Sequence, residues 1–189
     1  MQKKWGKLLA VALTLCLIGA FGASLIQNNF GKVEITDVVI RTSAGEYTGY
    51  LFVPDTATAE NPAPAIVTSH GYLNNREMQD LNYVELARRG YVVFAQDAYN
   101  HGNSGVLVDG AGSEIQHGTA GMVDAVEYLY QLDFVDNTRI GVTGHSMGGG
   151  YSNATAAYYS GLEREALASG ATAEEAKAHT VVHITKPGT

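Results

Sequence analysis

A chain of 189 residues with 46% hydrophobic content has the material for one ordinary domain with a filled core. Its formal charge of -7 and the lack of a basic stripe exclude nucleic acid as a partner, because nothing would displace phosphate counterions. The single cysteine, Cys16, excludes a disulfide within the chain, and no Cys or His spacing marks a structural metal.

Lys3, Lys4 and Lys7 precede a run without charged residues, 8–26. That length approaches the ~20 residues a helix needs to span a hydrocarbon layer of about 30 Å. A buried core helix would show a polar stripe, and this run shows none. The competing reading is a cleaved signal peptide, whose apolar part is usually only ~7–15 residues long. Ala20-Phe21-Gly22 would permit cleavage before Ala23. Length favours an uncleaved anchor. The lysines hold their end in the cytoplasm, so the rest of the chain is expected outside the cell membrane as the domain of a single-pass protein. The expected division is an anchor or signal segment over 1–30 and a folded domain over 31–189.

Residues 33–40 and 47–53 are rich in β-branched and aromatic side chains and flank a turn at Ser43-Ala44-Gly45, which predicts an antiparallel pair. The Pro-punctuated stretch 54–64 reads as a loop. Residues 65–69 form a short apolar run of the kind buried on both faces of a parallel sheet. A helix is predicted over 76–89, with Met78, Leu81, Val84 and Ala87 near helical spacing and Gly90 as its stop. Strands at 91–95 and 139–143 bracket an amphipathic helix at 122–132. Helices are expected at 151–160 and again from Leu162. Thr172-Ala173-Glu174-Glu175 has capping-box spacing, and 180–184 resembles one more strand. Strand and helix in alternation mean parallel pairing through right-handed crossovers, hence an α/β fold: a three-layer α/β/α sandwich around a mostly parallel sheet.

The chemistry centres on Gly144-His145-Ser146-Met147-Gly148, which fits the G-x-S-x-G nucleophile elbow. A serine on a sharp strand-to-helix turn has its hydroxyl lifted clear of the sheet. Small residues two positions to either side let strand and helix approach. The following helix aims backbone N–H groups at the reaction centre, and that of Met147 is placed to donate to an oxyanion. Ser146 is therefore the candidate nucleophile. Upstream, Ser69-His70-Gly71-Tyr72 follows a buried strand, where the second oxyanion donor belongs. The Tyr72 N–H is the candidate, with Gly71 allowing close approach to substrate and His70 read as an organiser. His145, the variable elbow position, is expected beside the turn.

His70-Gly71-Tyr72, the segment Asp97-Ala98-Tyr99-Asn100-His101-Gly102-Asn103-Ser104-Gly105, and the elbow occur in the order seen in the α/β-hydrolase superfamily. The chain most resembles its bacterial esterase, dienelactone-hydrolase and serine-aminopeptidase-like branches, over about residues 33–160. Val123-Asp124-Ala125-Val126-Glu127-Tyr128-Leu129 before the last strand also matches their approach to the elbow. Relatives often carry Asp-x-Arg-Gly-x-Gly-x-Ser in the second segment, where this chain has Tyr99-Asn100 in the Arg-Gly place. The resemblance implies that Asp97 is a turn residue rather than the catalytic acid. It also implies acyl transfer without metal or organic cofactor, on a small-molecule or peptide ester, thioester or amide.

In this fold the triad runs Ser, then Asp or Glu, then His along the chain. No Asp follows Ser146, and Glu163, Glu165, Glu174 and Glu175 read as solvated helical faces. His179 reads as a helix-end residue and His183 as part of a strand. His117 reads as lying in a loop and is a candidate to line the cleft, though upstream of the serine. The triad acid and base are thus expected beyond Thr189, as in the N-terminal portion of a longer hydrolase. The alternative is a non-catalytic, membrane-anchored scaffold or binding module built on a hydrolase half-fold. Tyr72, Tyr99 and Tyr151 are candidates for an aromatic cleft, or for packing.

Overall fold

The computed structural model describes residues 2–78, 82–108, 110, 114–176 and 181–183. It opens with helix α1 (Gln2–Gln27), whose 26 residues extend about 39 Å at 1.5 Å per residue. Its span Lys4–Gln27 has a mean hydropathy of 2.4 and is not buried, which suits a membrane anchor or a signal sequence. The chain leaves α1 through a hydrogen-bonded turn. Phe30 N–H donates to Leu25 O at 2.7 Å and Val33 N–H to Asn28 O at 3.0 Å, with Asn29 and Phe30 at positive φ.

Strands β1 (Val33–Thr42) and β2 (Gly45–Pro54) form the expected hairpin, in register from Val33↔Pro54 to Thr42↔Gly45. With β3 (Ala63–Ser69), β4 (Val92–Asp97), β5 (Val135–Gly144) and β6 (Val181–His183) they make a 6-stranded sheet in the order β1-β2-β4-β3-β5-β6. The β3–β4, β3–β5 and β5–β6 pairs are parallel, whereas β2 pairs antiparallel with both β1 and β4. The sheet is therefore mixed, with its parallel part built from the unbroken apolar runs.

Every residue of β4 is buried, because helices cover both faces. Alternation along the strand divides the core. Val93 and Ala95 pack with Phe52 against Tyr83, Val84 and Ala87 of helix α2 (Asn82–Arg88). Val92 and Phe94 face the other way, toward Met122, Val126 and Leu129 of helix α4 (Met122–Leu129). Helix α3 (Glu114–Thr119) precedes α4, and Tyr159 of helix α5 (Met147–Ala168) joins the same cluster.

Three expectations need correction. Of the helix expected over 76–89, the described residues form a 3-10 turn at Arg76–Met78, where Arg76 is held through its backbone and side chain, and α2, while Leu81 falls outside the described residues. The helices at 151–160 and from Leu162 are one helix, α5. Gly161 meets nothing within 4 Å, and the run from Leu162 to Leu167 carries the helix past a residue that costs about 1 kcal/mol there. His117 lies in α3 rather than in a loop. The capping box forms as expected ahead of helix α6 (Ala173–Ala176): Glu175 N–H donates to Thr172 Oγ1 at 3.2 Å, and Thr172 N–H to the Glu175 carboxylate at 2.8 Å. His179 falls outside the described residues.

Candidate active site

Ser146 stands between the end of β5 and the start of α5, at φ 54 and ψ -113. A non-glycine residue in that region is held there only by its surroundings. Those surroundings are backbone on backbone. A Cβ on Gly144 would lie 2.3 Å from Gly148 C, and one on Gly148 would lie 2.3 Å from Ser69 O. Any side chain at either position would push α5 off β3 and β5. His145 N–H donates to Ser69 O at 3.1 Å and Gly148 N–H to His145 O at 2.9 Å, closing the turn. Ser146 itself is exposed.

The loop after β3 lies directly against this elbow. A Cβ on Gly71 would come within 3.6 Å of Ser146 Cβ and 3.3 Å of His145 Cδ2, so a glycine admits the approach. Among the described residues, neither Met147 N–H nor Tyr72 N–H is taken by a backbone carbonyl. Both candidate donors are therefore unclaimed, as an oxyanion site requires.

His70 is sealed in, 1% exposed, and both ring nitrogens are engaged. Nε2 accepts the Ala98 N–H at 3.0 Å, so Nδ1 carries the proton and donates to Gly71 O at 2.8 Å. Burial holds its pKa below the usual histidine value, with the His101 ring adding to the shift and the Gly71 bond and Asp97 opposing it. The ring shapes the loop and has no free nitrogen for a proton transfer. His101, which sequence reasoning noted only within its segment, reaches the same place: its ring centroid is 5.2 Å from His70 and 6.1 Å from the exposed Tyr72.

Asp97 is the last residue of β4 and not part of a turn, and it braces the loops on either side of it. Its buried carboxylate accepts Arg76 N–H at 2.7 Å and Asn103 N–H at 2.9 Å, and Arg76 Nε lies 3.6 Å away. Arg76 also pairs with Asp37 at 2.7 Å and stacks its guanidinium 3.8 Å over the Tyr50 ring. Arg76 escaped the sequence reading, since nothing in its spacing marks an arginine as buried. Tyr99 is only 2% exposed, and its hydroxyl is shared between Asp124 and Thr42, so it belongs to packing and not to a cleft. Tyr151 is half-buried on α5. No described residue hydrogen-bonds the Ser146 hydroxyl. His117 is exposed on α3, and His183 is in β6.

A strained serine between a parallel strand and a helix, with a glycine loop from the neighbouring strand beside it, defines an α/β-hydrolase. A family model described as X-Pro dipeptidyl-peptidase (S15 family) matches residues 50–180, and the chain belongs to that family. It is 36% identical over 92 residues to the uncharacterized protein YcjY of Escherichia coli strain K12, covering 47% of this chain and 29% of that protein. Among solved structures it resembles the hypothetical protein PA2218 of Pseudomonas aeruginosa, at 27% identity and a TM-score of 0.57 over 67% of this chain and 39% of that one. It also shares the fold of P91, a dienelactone hydrolase-like promiscuous phosphotriesterase from metagenomic libraries, at 19% identity and a TM-score of 0.53 over 68% and 55%. The chain thus spans well under two thirds of the length of each.

Proposed function

We propose that this chain carries the nucleophile half of a membrane-tethered serine hydrolase, held by α1. Ser146 Oγ attacks the carbonyl carbon of an ester, thioester or amide and loses its proton to a base outside the described residues. The tetrahedral oxyanion is held by the N–H groups of Met147 and Tyr72. Collapse expels the alcohol, thiol or amine, and water then cleaves the acyl-serine, returning the acid. The observation that carries this reading is the strained backbone of Ser146 seated on Gly144 and Gly148, with the amides of Met147 and Tyr72 unclaimed. A fold would not hold a serine so for packing alone. His70 and Asp97 act here only as positioning residues.

The test is covalent labelling by a fluorophosphonate probe, which reports an activated serine without knowledge of the substrate. Labelling mapped to Ser146 and lost in Ser146→Ala is the expected result once the longer reading frame of a relative supplies the base in cis; these residues without it should label weakly at most. A chain that folds cooperatively, binds membranes and never labels, even with the longer reading frame of a relative supplied in cis, would instead establish the scaffold reading.

A further inference from the structure

We infer that the catalytic edge faces away from the bilayer, so that Ser146 takes its acyl substrate from the aqueous phase and not from membrane lipid. The inference rests on the tethered-hydrolase reading above and narrows its substrate class.

The register of the sheet places anchor and nucleophile at opposite ends. Ser69 pairs with Gly144 on one side and Gln96 on the other, and Gln96 pairs with Gly49. These residues mark the level of the elbow. Val33, where the chain arrives from α1, pairs with Pro54 at the far end of β2. Gly49 to Pro54 is five steps along a strand, about 17 Å. The parallel strands β3, β4 and β5 all end at the elbow side, and Val33 sits where β4 begins.

The junction is also stiff. Residues 28–32 are folded on themselves by the bonds from Phe30 to Leu25 and from Val33 to Asn28. Asp55 N–H, just past β2, donates to Lys32 O at 2.8 Å, and Arg88 of α2 donates to Ile26 O near the end of α1. The rest of α1 stands clear of the domain, every residue from 4 to 21 being exposed. Turning the elbow toward the lipid would require undoing this junction. Even then its five residues would span only about 17 Å fully extended, no more than the sheet separates them from Ser146. The exposed apolar groups at the elbow's end of the sheet, Tyr72 at 69% and Leu73 at 77% after β3 and Val106 at 76% beside the β1–β2 turn, are therefore remote from the membrane. They suit the apolar part of a soluble ester or peptide.

The full chain with Cys16→Ala, reconstituted in phosphatidylcholine vesicles, tests this with single cysteines at two exposed positions, Phe30→Cys and Val106→Cys. Each carries a fluorophore, and headgroup-nitroxide lipids serve as quencher. Quenching several-fold stronger at position 30 than at 106 is expected. Equal or stronger quenching at 106 overturns the inference and leaves the tether standing. A chain that fails to float with vesicles overturns the tether and the inference together. A second arm, on the chain extended in cis by a relative's longer reading frame so that the base is supplied, sets a fluorophosphonate on a short ethylene-glycol arm against one borne on a phospholipid in the same vesicles. The soluble probe should label Ser146 at least tenfold faster, and preference for the lipid-borne probe overturns the inference. Labelling by neither sinks the nucleophile reading alone, and the quenching still decides the orientation.

Discussion

Arg76 and Asp97 meet twice, once through the Arg76 backbone N–H at 2.7 Å and once through Nε at 3.6 Å. His70 and Ala98 meet beside them at 3.0 Å. The loop that carries Gly71 and Tyr72 is thus laced at both ends to the loop after β4. Asp97→Ala leaves Arg76, 5% exposed, without one of its two carboxylates and frees the buried Arg76 N–H together with that of Asn103. The expected loss is about 3–5 kcal/mol, read as a lower urea midpoint at unchanged slope. Asp37→Ala removes a partner that is 67% exposed and should cost under about 1 kcal/mol.

Gly148 at the elbow and Gly161 farther along α5 should respond in opposite ways to the same change. Gly148→Ala places a methyl 2.3 Å from Ser69 O and is expected to prevent native folding or cost more than about 3 kcal/mol. Gly161→Ala, in α5 with nothing within 4 Å, should stabilise by about 0.5–1 kcal/mol. Thermal melts of the two variants check both signs.

His70 makes stability depend on pH. Burial lowers its folded pKa from the ordinary 6.5, so the unfolded chain binds the proton more readily. Its contribution is complete above pH 6.5 and is lost as pH falls from there toward the lowered folded value. Urea midpoints taken between neutral and mildly acid pH should fall in the parent. His70→Asn should be less stable at neutral pH and show a shallower fall. An equal slope in both proteins would refute the assignment.

Tyr99 stands at a buried polar junction. Its hydroxyl donates to Asp124 Oδ2 at 3.1 Å, and Gln116 supplies the other bond at 3.1 Å. Burial already raises the Asp124 pKa, which these bonds oppose, and burial pushes the Tyr99 phenol up to about 12. Tyr99→Phe should cost about 1–3 kcal/mol and raise the Asp124 pKa further, visible in a carboxyl-carbon NMR titration. Because a raised carboxyl pKa opposes folding only while the group is charged, the deficit should shrink as pH falls through the folded value.

Local pattern carried the reading wherever one side chain or one turn decides the structure. The β1–β2 hairpin follows from alternation and a tight turn, and the α6 cap from Thr172 and Glu175 alone. The elbow was legible because Gly144 and Gly148 serve a contact that no other residue permits. What stayed hidden depends on distant partners. Arg76 looks like a surface residue opening a helix until Asp37, Tyr50 and Asp97 converge on it from three strands. Tyr99 looks like a cleft aromatic until Thr42 and Asp124 claim its hydroxyl. His117 lies among Gly118 and Gly121, which read as a loop, yet α3 fits before Ala120 and Gly121 turn the chain at positive φ. Gly161 reads as a break because sequence shows its propensity and not the empty space beside it.

The glycine contact beneath the elbow leaves little there that can rearrange. Side chains normally absorb a push by hopping between rotamers, but Gly144, Gly148 and the Ser69 carbonyl have none to hop. The sheet edge and the first turn of α5 therefore move as one piece, and Ser146 keeps a single soft coordinate, the torsion about its Cα–Cβ bond. Whether the hydroxyl is aimed at a carbonyl or turned aside is a choice among three staggered positions, made in picoseconds to nanoseconds at an exposed site.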